Sequence, residues 1–171
     1  MTLYDRILVP TDGSPEGSRA VAHAIDLAEA HDATVSALYV INTASYNGLP
    51  METSWEGVTT LLNTDGQHAL DTVEAQATDR GIPAETEITE GSPAKEIIQT
   101  AEQQDCDLIV MGTHGRGGLD RLLLGSVAEK VVRAARIPVT TVRIDESMDH
   151  VESTRAETAS EPSVSADSST G

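Results

Sequence analysis

The chain has 171 residues, a length that suits one domain followed by a short tail. Its formal net charge is -17, with 28 acidic residues against 11 Lys and Arg. Such an acidic surface repels nucleic-acid phosphates and anionic lipid headgroups, so we expect neither a nucleic acid nor a membrane as partner. Because the sequence shows no long apolar run, no leader pattern and a lone Cys106, we expect a cytoplasmic protein without disulfides.

The first half of the chain predicts a strand, a helix and a second strand. Residues 6–10 form a short apolar run that is typical of a buried strand. Ser14, Pro15 and Glu16 then suit the N-cap and the first turn of a helix. Apolar residues between 33 and 41 predict the second strand. Residues 42–62 lack a regular pattern, and we expect a long connection that is functional or mobile.

The second half continues this alternation. Residues 65–80 predict a helix, 84–90 a more exposed strand near a sheet edge, and 93–104 another helix. A buried strand follows at 107–112, then a helix from Ser126 that carries Val127, Ala128, Val131 and Val132, then a last strand. The pattern predicts an α/β fold, an open and mainly parallel five-stranded sheet with helices on both faces. Residues 145–171 are acidic and poor in large apolar residues, so we expect a disordered tail after a domain of residues 1–144.

A glycine-spaced motif, Gly112-x2-Gly115-x9-Gly125-Ser126, starts at the end of a predicted strand and finishes at a helix start. Ligands of open parallel sheets bind beyond the carboxyl ends of the strands. Gly112 and Gly115 permit positive φ and a close approach of ligand, and we expect free N–H groups at Gly125 and Ser126. The motif therefore predicts a phosphate site made of main chain. Neither the P-loop spacing nor the dinucleotide-binding glycine pattern occurs in the chain.

The stretch from Met111 to Arg133 resembles the ATP-binding signature of the universal stress protein family, and residues 7–14 match that family's first strand and turn. The resemblance covers residues 3–144. It implies a Rossmann-like fold of the adenine nucleotide α-hydrolase type, with ATP as ligand. Because ATP and this chain are both strongly negative, we expect Mg²⁺ to assist binding. The resemblance also implies a stress-response or signalling module with an unidentified protein partner, and a homodimer that pairs through the C-terminal strand Val139–Arg143.

The same resemblance implies a set of ATP-binding residues, and no catalytic or metal-ligating residue. Asp12 is anionic, so we expect it near the ribose or base rather than the phosphates. Arg116 and Arg121 are the nearest candidate counter-charges. The expected ATP-binding residues are Pro10, Thr11, Asp12, Val40, Met111, Gly112, Gly115, Arg116, Gly125, Ser126 and Val127.

Several residues have a structural interpretation as well. Asp12 also suits a turn that caps the first helix, and Trp55 suits either core packing or a lid. His114 has no partner that the sequence identifies, so we expect it to face solvent, and we expect Cys106 to be a buried structural thiol. Two other functions stay open: an enzyme that hydrolyses ATP slowly or transfers adenylyl groups, and a nucleotide-free dimeric interaction module.

The net charge leads to the hypothesis that the protein works in a salt-rich, halophilic cytosol, the alternative being an acidic mesophilic protein. We expect the melting temperature, followed by circular dichroism, to rise with KCl up to about 1 M, where the Debye length falls to roughly 3 Å and self-repulsion is screened. A melting temperature that falls steadily over this range would contradict the hypothesis.

Overall fold

The computed structural model describes residues 2–46, 55–114 and 124–143, so Gly115, Arg116, Arg121 and the predicted tail lie outside the described residues. Strands and helices alternate in this part of the chain, which confirms the predicted α/β class. In order, they are β1 (Arg6–Pro10), α1 (Pro15–His31), β2 (Thr34–Asn42), a 3-10 turn (Thr43–Tyr46), α2 (Trp55–Asp79), β3 (Ala84–Gly91), α3 (Pro93–Gln103), β4 (Leu108–Gly112), α4 (Ser126–Ala134) and β5 (Val139–Val142).

The five described strands form one sheet in the order β3-β2-β1-β4-β5, and every neighbouring pair is parallel. The chain runs outward from β1 to β2 and β3, then returns to place β4 on the other side of β1. Winding therefore changes direction between β1 and β4. This is the topological switch point, where parallel sheets of this type leave room for a ligand.

The central strands are buried on both faces, which explains their continuous apolar runs. Ile7 and Val9 of β1 and Val110 of β4 belong to the core that α1 and α2 cover. Leu8 of β1 and Ile109 of β4 point the other way, into the core under α3 and α4. Helices thus cover both faces, as predicted.

A carboxylate joins β1 to β4 at the amino end of the sheet. Oδ2 of Asp107 accepts hydrogen bonds from the backbone N–H of Asp5 at 2.8 Å and of Arg6 at 3.0 Å. Bonds to a charged acceptor are stronger than neutral ones, so this contact helps to fix the start of both strands.

Helix α2 begins earlier than the sequence pattern predicts. It starts at Trp55, so residues 55–62 are helical and the prediction of a connection over 42–62 was wrong for them. The helix lies close to the sheet at one point: a Cβ at Gly66 would stand 2.7 Å from Cδ1 of Tyr39. Glycine at position 66 lets the Tyr39 ring pack directly against the helix backbone.

Within the described residues, no helix combines the length and the apolar character that crossing a membrane requires.

Helix α4 buries a narrow face. Ala128 and Val131 are buried, whereas the neighbouring Val132 is 46% exposed. Successive residues of a helix differ by about 100° in direction, so a buried Val131 turns the next side chain away from the sheet.

Adjacent valines therefore provide a matched test of the core. We expect Val131→Ala to lower the free energy of unfolding by about 1–3 kcal/mol, because it removes buried methyl groups and leaves a cavity. Val132→Ala changes helix propensity in the same way but should stay within about 0.5 kcal/mol. Urea denaturation of both variants measures the difference. Equal losses would contradict this assignment of the buried face.

Candidate functional site

The carboxyl ends of β1 and β4 diverge. The two strands pair at Ile7–Leu108 and Leu8–Ile109, yet β1 continues to Pro10 and β4 to Gly112. The space between these two strand ends, called the crevice below, is bordered by the turn before α1 and by the start of α4.

The turn after β1 is held by its own side chains. Thr11 donates its N–H to the carbonyl of Leu38 at 2.9 Å, which keeps the turn beside β2. The Ser14 N–H donates to Oδ1 of Asp12 at 2.9 Å, and Ser14 Oγ accepts from the N–H of Gly17 at 3.1 Å. Asp12 and Ser14 thus shape the start of α1, as the structural interpretation of Asp12 predicts.

Three of the expected ATP-binding residues turn their side chains into the protein core. Met111 is buried under α3 and α4, and Val40 and Val127 are half-buried against the same core. Pro10 pairs with Leu38, so Val40 lies two residues further along β2, beyond the end of β1. Because these side chains pack in the core, what the residues offer to the crevice is mainly their main chain.

The start of α4 presents backbone donors. Within residues 2–46, 55–114 and 124–143, the N–H groups of Ser126, Val127 and Ala128 have no hydrogen-bond acceptor, and no side chain caps the helix. Gly125 differs from the expectation, since its own N–H donates to the carbonyl of Thr113 at 2.8 Å. The unbonded donors therefore begin at Ser126, one residue later than expected.

The two described glycines of the motif serve close packing and not unusual dihedral angles. Positive φ among the described glycines occurs at other positions, which overturns that reason for Gly112. A Cβ at Gly112 would stand 3.3 Å from Cβ of Glu16, and a Cβ at Gly125 would stand 2.8 Å from the carbonyl oxygen of Thr113. Both glycines therefore let α1 and α4 approach the end of β4.

The family comparison agrees with this geometry. The model of the universal stress protein family matches residues 3–143. The chain belongs to the universal stress protein family.

Named relatives support the assignment. Universal stress protein MJ0531 of Methanocaldococcus jannaschii is 48% identical over 141 residues, which cover 82% of this chain and 83% of that protein. Universal stress protein YxiE of Bacillus subtilis is 32% identical, covering 82% of this chain and all (100%) of that protein.

Solved structures share the fold. The structure of M. jannaschii protein MJ0577 aligns with a TM-score of 0.76 and 28% identity, covering 85% of this chain and 99% of that one. A universal stress protein in complex with cAMP aligns with a TM-score of 0.62 and 25% identity, covering 82% and 97% of the two chains. Both neighbours are aligned over almost their entire length.

In this universal stress protein, Glu16 connects α1 to the end of β4. Oε2 of Glu16 accepts from the backbone N–H of His114 at 2.8 Å and from the Thr113 hydroxyl at 3.2 Å. The Glu16 side chain is only 15% exposed. Sequence analysis assigned Glu16 to the first turn of α1 and missed this role, because nothing local marks a contact across 98 residues.

His114 does not face solvent, so that expectation was wrong. Its side chain is 7% exposed, and its Nδ1 lies 3.1 Å from Thr113 Oγ1. The other ring nitrogen, Nε2, is buried without a hydrogen-bond partner among the described residues. A buried polar atom without a partner is uncommon and costs free energy.

Cys106 is buried, as expected, and its burial raises the pKa of the thiol to about 11. A thiol with so high a pKa is a poor nucleophile at neutral pH. The described residues contain no group of three His, Cys, Asp or Glu side chains that could hold a metal ion.

A cavity that sequence analysis did not predict lies between α1 and α2, with a volume of about 280 Å³. It is lined by Thr11, Gly13 and Ser18 on one side and by Asp65, His68 and Gln76 on the other. Thr11 is the one expected ATP-binding residue among those that line it. The other expected residues within the described part do not border this cavity.

Proposed function

We propose that this universal stress protein binds ATP in the crevice and acts as a cytoplasmic, nucleotide-dependent stress-response or signalling module. The observation that carries the proposal is the run of N–H groups at Ser126, Val127 and Ala128, for which the described part of the chain offers no acceptor. These donors point out of the positive end of a helix, which favours an anion such as a phosphate. Their position at the switch point is where a nucleotide is held in sheets of this type.

The nucleoside would lie along the rest of the crevice. Pro10 is the last residue of β1, Thr11 and Asp12 follow it, and Val40 lies further along β2. This side of the crevice suits a base and ribose. Asp12 carries a carboxylate, an acceptor for which ribose hydroxyls are suitable donors. A relative solved with cAMP supports an adenine nucleotide as the ligand class. Gly115 and Arg116 complete the proposed set on the phosphate side.

Magnesium would be held mainly by the nucleotide. Among the described residues no acidic cluster offers a binding site for the ion. Mg²⁺ commonly keeps several water ligands and binds phosphate oxygens, so this absence is compatible with Mg-ATP. The ion would also offset the repulsion between ATP and a chain with a net charge of -17.

Substitution of Ser126 tests the phosphate site without disturbing the fold. Its side chain is exposed, and Asp at the first helical position should stabilise α4 slightly through the helix dipole. We expect Ser126→Asp to raise the Kd for Mg-ATP by about 10- to 100-fold, because the new carboxylate repels the phosphates. Ser126→Asn has the same shape without the charge and should bind nearly as well as the wild type.

Isothermal titration with ATP, AMP and cyclic AMP measures these affinities, and melting curves confirm folding. Gly125→Val is a poorer probe, because a Cβ at position 125 would collide with the Thr113 carbonyl even without ligand. Equal ATP affinity in the Asp and Asn variants would contradict the site. A wild type that binds no nucleotide would favour the interaction module. Single-turnover product well above the uncatalysed rate would favour the enzyme.

We also propose a homodimer that pairs through β5. Among the described strands β5 lies at the sheet edge and pairs with β4 alone. Ile109 donates to the carbonyl of Pro138 and Thr113 to that of Val142, so the even-numbered residues of β5 direct their backbone groups to β4. The N–H of Thr141 then points outward, where a second copy could accept it.

Thr141→Pro removes that outward donor and leaves the pairing with β4 in place. We expect light scattering to give a dimer mass for the wild type and for Thr141→Val, and a monomer mass for Thr141→Pro. A dimeric Thr141→Pro variant, or a monomeric wild type, would overturn the proposed interface.

A further inference from the structure

The buried imidazole of His114 lies beside the proposed phosphate site. The ring edge that carries Cδ2 and Nε2 faces the start of α4, since Cδ2 stands 3.7 Å from the position of a Cβ at Gly125. Nε2 is the atom without a partner among the described residues. The ring edge with the unpartnered nitrogen therefore lies next to Gly125, the residue before three N–H groups that have no acceptor among the described residues.

The hydrogen bonds on the other side of the ring decide what Nε2 can do. The Thr113 hydroxyl has one proton, which it donates to Glu16 Oε2 at 3.2 Å. Nδ1 of His114, 3.1 Å from the same hydroxyl oxygen, must then act as the donor. A neutral imidazole with its proton on Nδ1 has only a lone pair on Nε2. Nε2 therefore becomes a donor when the ring is protonated.

Among the described residues, groups of opposite electrostatic sign lie on the two sides of His114. From α1, Glu16 faces the ring, with Oε2 3.7 Å from Nδ1, and it favours the imidazolium. From α4, the positive helix end opposes it. β5 contributes the carbonyl of Val142, which accepts from the Thr113 N–H. The other acid at the crevice, Asp12, is bonded to the N–H of Ser14.

We propose that His114 takes up a proton when a phosphate binds at the start of α4, and that Nε2–H then donates to a phosphate oxygen. Glu16 is the positioning residue, since it holds Thr113 and the His114 backbone and supplies the charge that favours the imidazolium. The inference rests on the proposed nucleotide site and adds a regulatory property: affinity for phosphorylated ligands depends on pH. Phosphate binding and proton binding strengthen each other by the same factor.

Titrations with Mg-ATP across about pH 5.5 to 8.5, the range in which histidines commonly change charge, test this inference. We expect wild-type affinity to fall with rising pH by up to about tenfold per unit, the limit for one linked proton. His114→Gln keeps a donor that does not titrate, so its affinity should follow only the titration of ATP itself. His23→Gln, at an exposed position of α1, should keep the wild-type profile.

Glu16→Gln keeps an acceptor for the His114 N–H but removes the negative charge, so the pH dependence of its Mg-ATP affinity should move to lower pH.

Should His114→Gln fail to fold, nitrogen NMR of wild-type histidines gives a second measurement, in which ATP should convert Nε2 of His114 to the protonated form. Absence of ATP binding at every pH contradicts the proposed function. Normal binding with the same pH profile in wild type and His114→Gln, or an Nε2 signal that ATP leaves unchanged, overturns this inference alone.

Discussion

The carboxylate of Glu16 holds together the two sides of the crevice. α1 starts on one face of the sheet and α4 on the other, and the ends of β1 and β4 separate between them. Oε2 of Glu16 bonds to both Thr113 and the backbone of His114, and the Thr113 carbonyl accepts the N–H of Gly125. The start of α1 is thus connected to the start of α4 in two steps. At the opposite end of the sheet, the carboxylate of Asp107 connects β4 to β1, because it accepts the N–H groups of Asp5 and Arg6.

The proposed site would bind a negatively charged ligand with groups that carry no net charge. A protein with a net charge of -17 has to attract a polyanion without a surplus of cations. Backbone N–H groups at a helix start provide positive partial charge without a charged side chain. The glycines of the motif matter in this scheme because they let the helix end approach β4. A side chain at position 125 would collide with the Thr113 carbonyl oxygen. The start of α4 would then have to move away from β4, together with the N–H groups that it carries.

Local signals determined which parts of the fold could be predicted. The apolar runs of β1 and β4 and the capping sequence at Ser14 gave these elements with nearly correct bounds. The first turns of α2 were missed because they are rich in polar residues, some of which bond back to the helix: Asn63 donates to the carbonyl of Thr59 and Thr64 to that of Thr60. The environment of His114 was missed for another reason. Its partner Glu16 is 98 residues away in the sequence. An acid in the first turn of a helix is also common, so nothing about Glu16 indicated a second, distant contact.

The contact between Gly66 and Tyr39 has a consequence for variation in length. Helix α2 packs against the sheet where the Tyr39 ring contacts the helix backbone at Gly66, about three turns after the helix begins. Leu62, about one turn before Gly66, already packs partly against the core. Residues added or removed before Leu62 would lengthen or shorten the first turns without changing how the remainder packs. The stretch between β2 and Leu62 is therefore the natural place for insertions and deletions, whereas a shift of one residue after Gly66 would misalign the rest of the helix with its core.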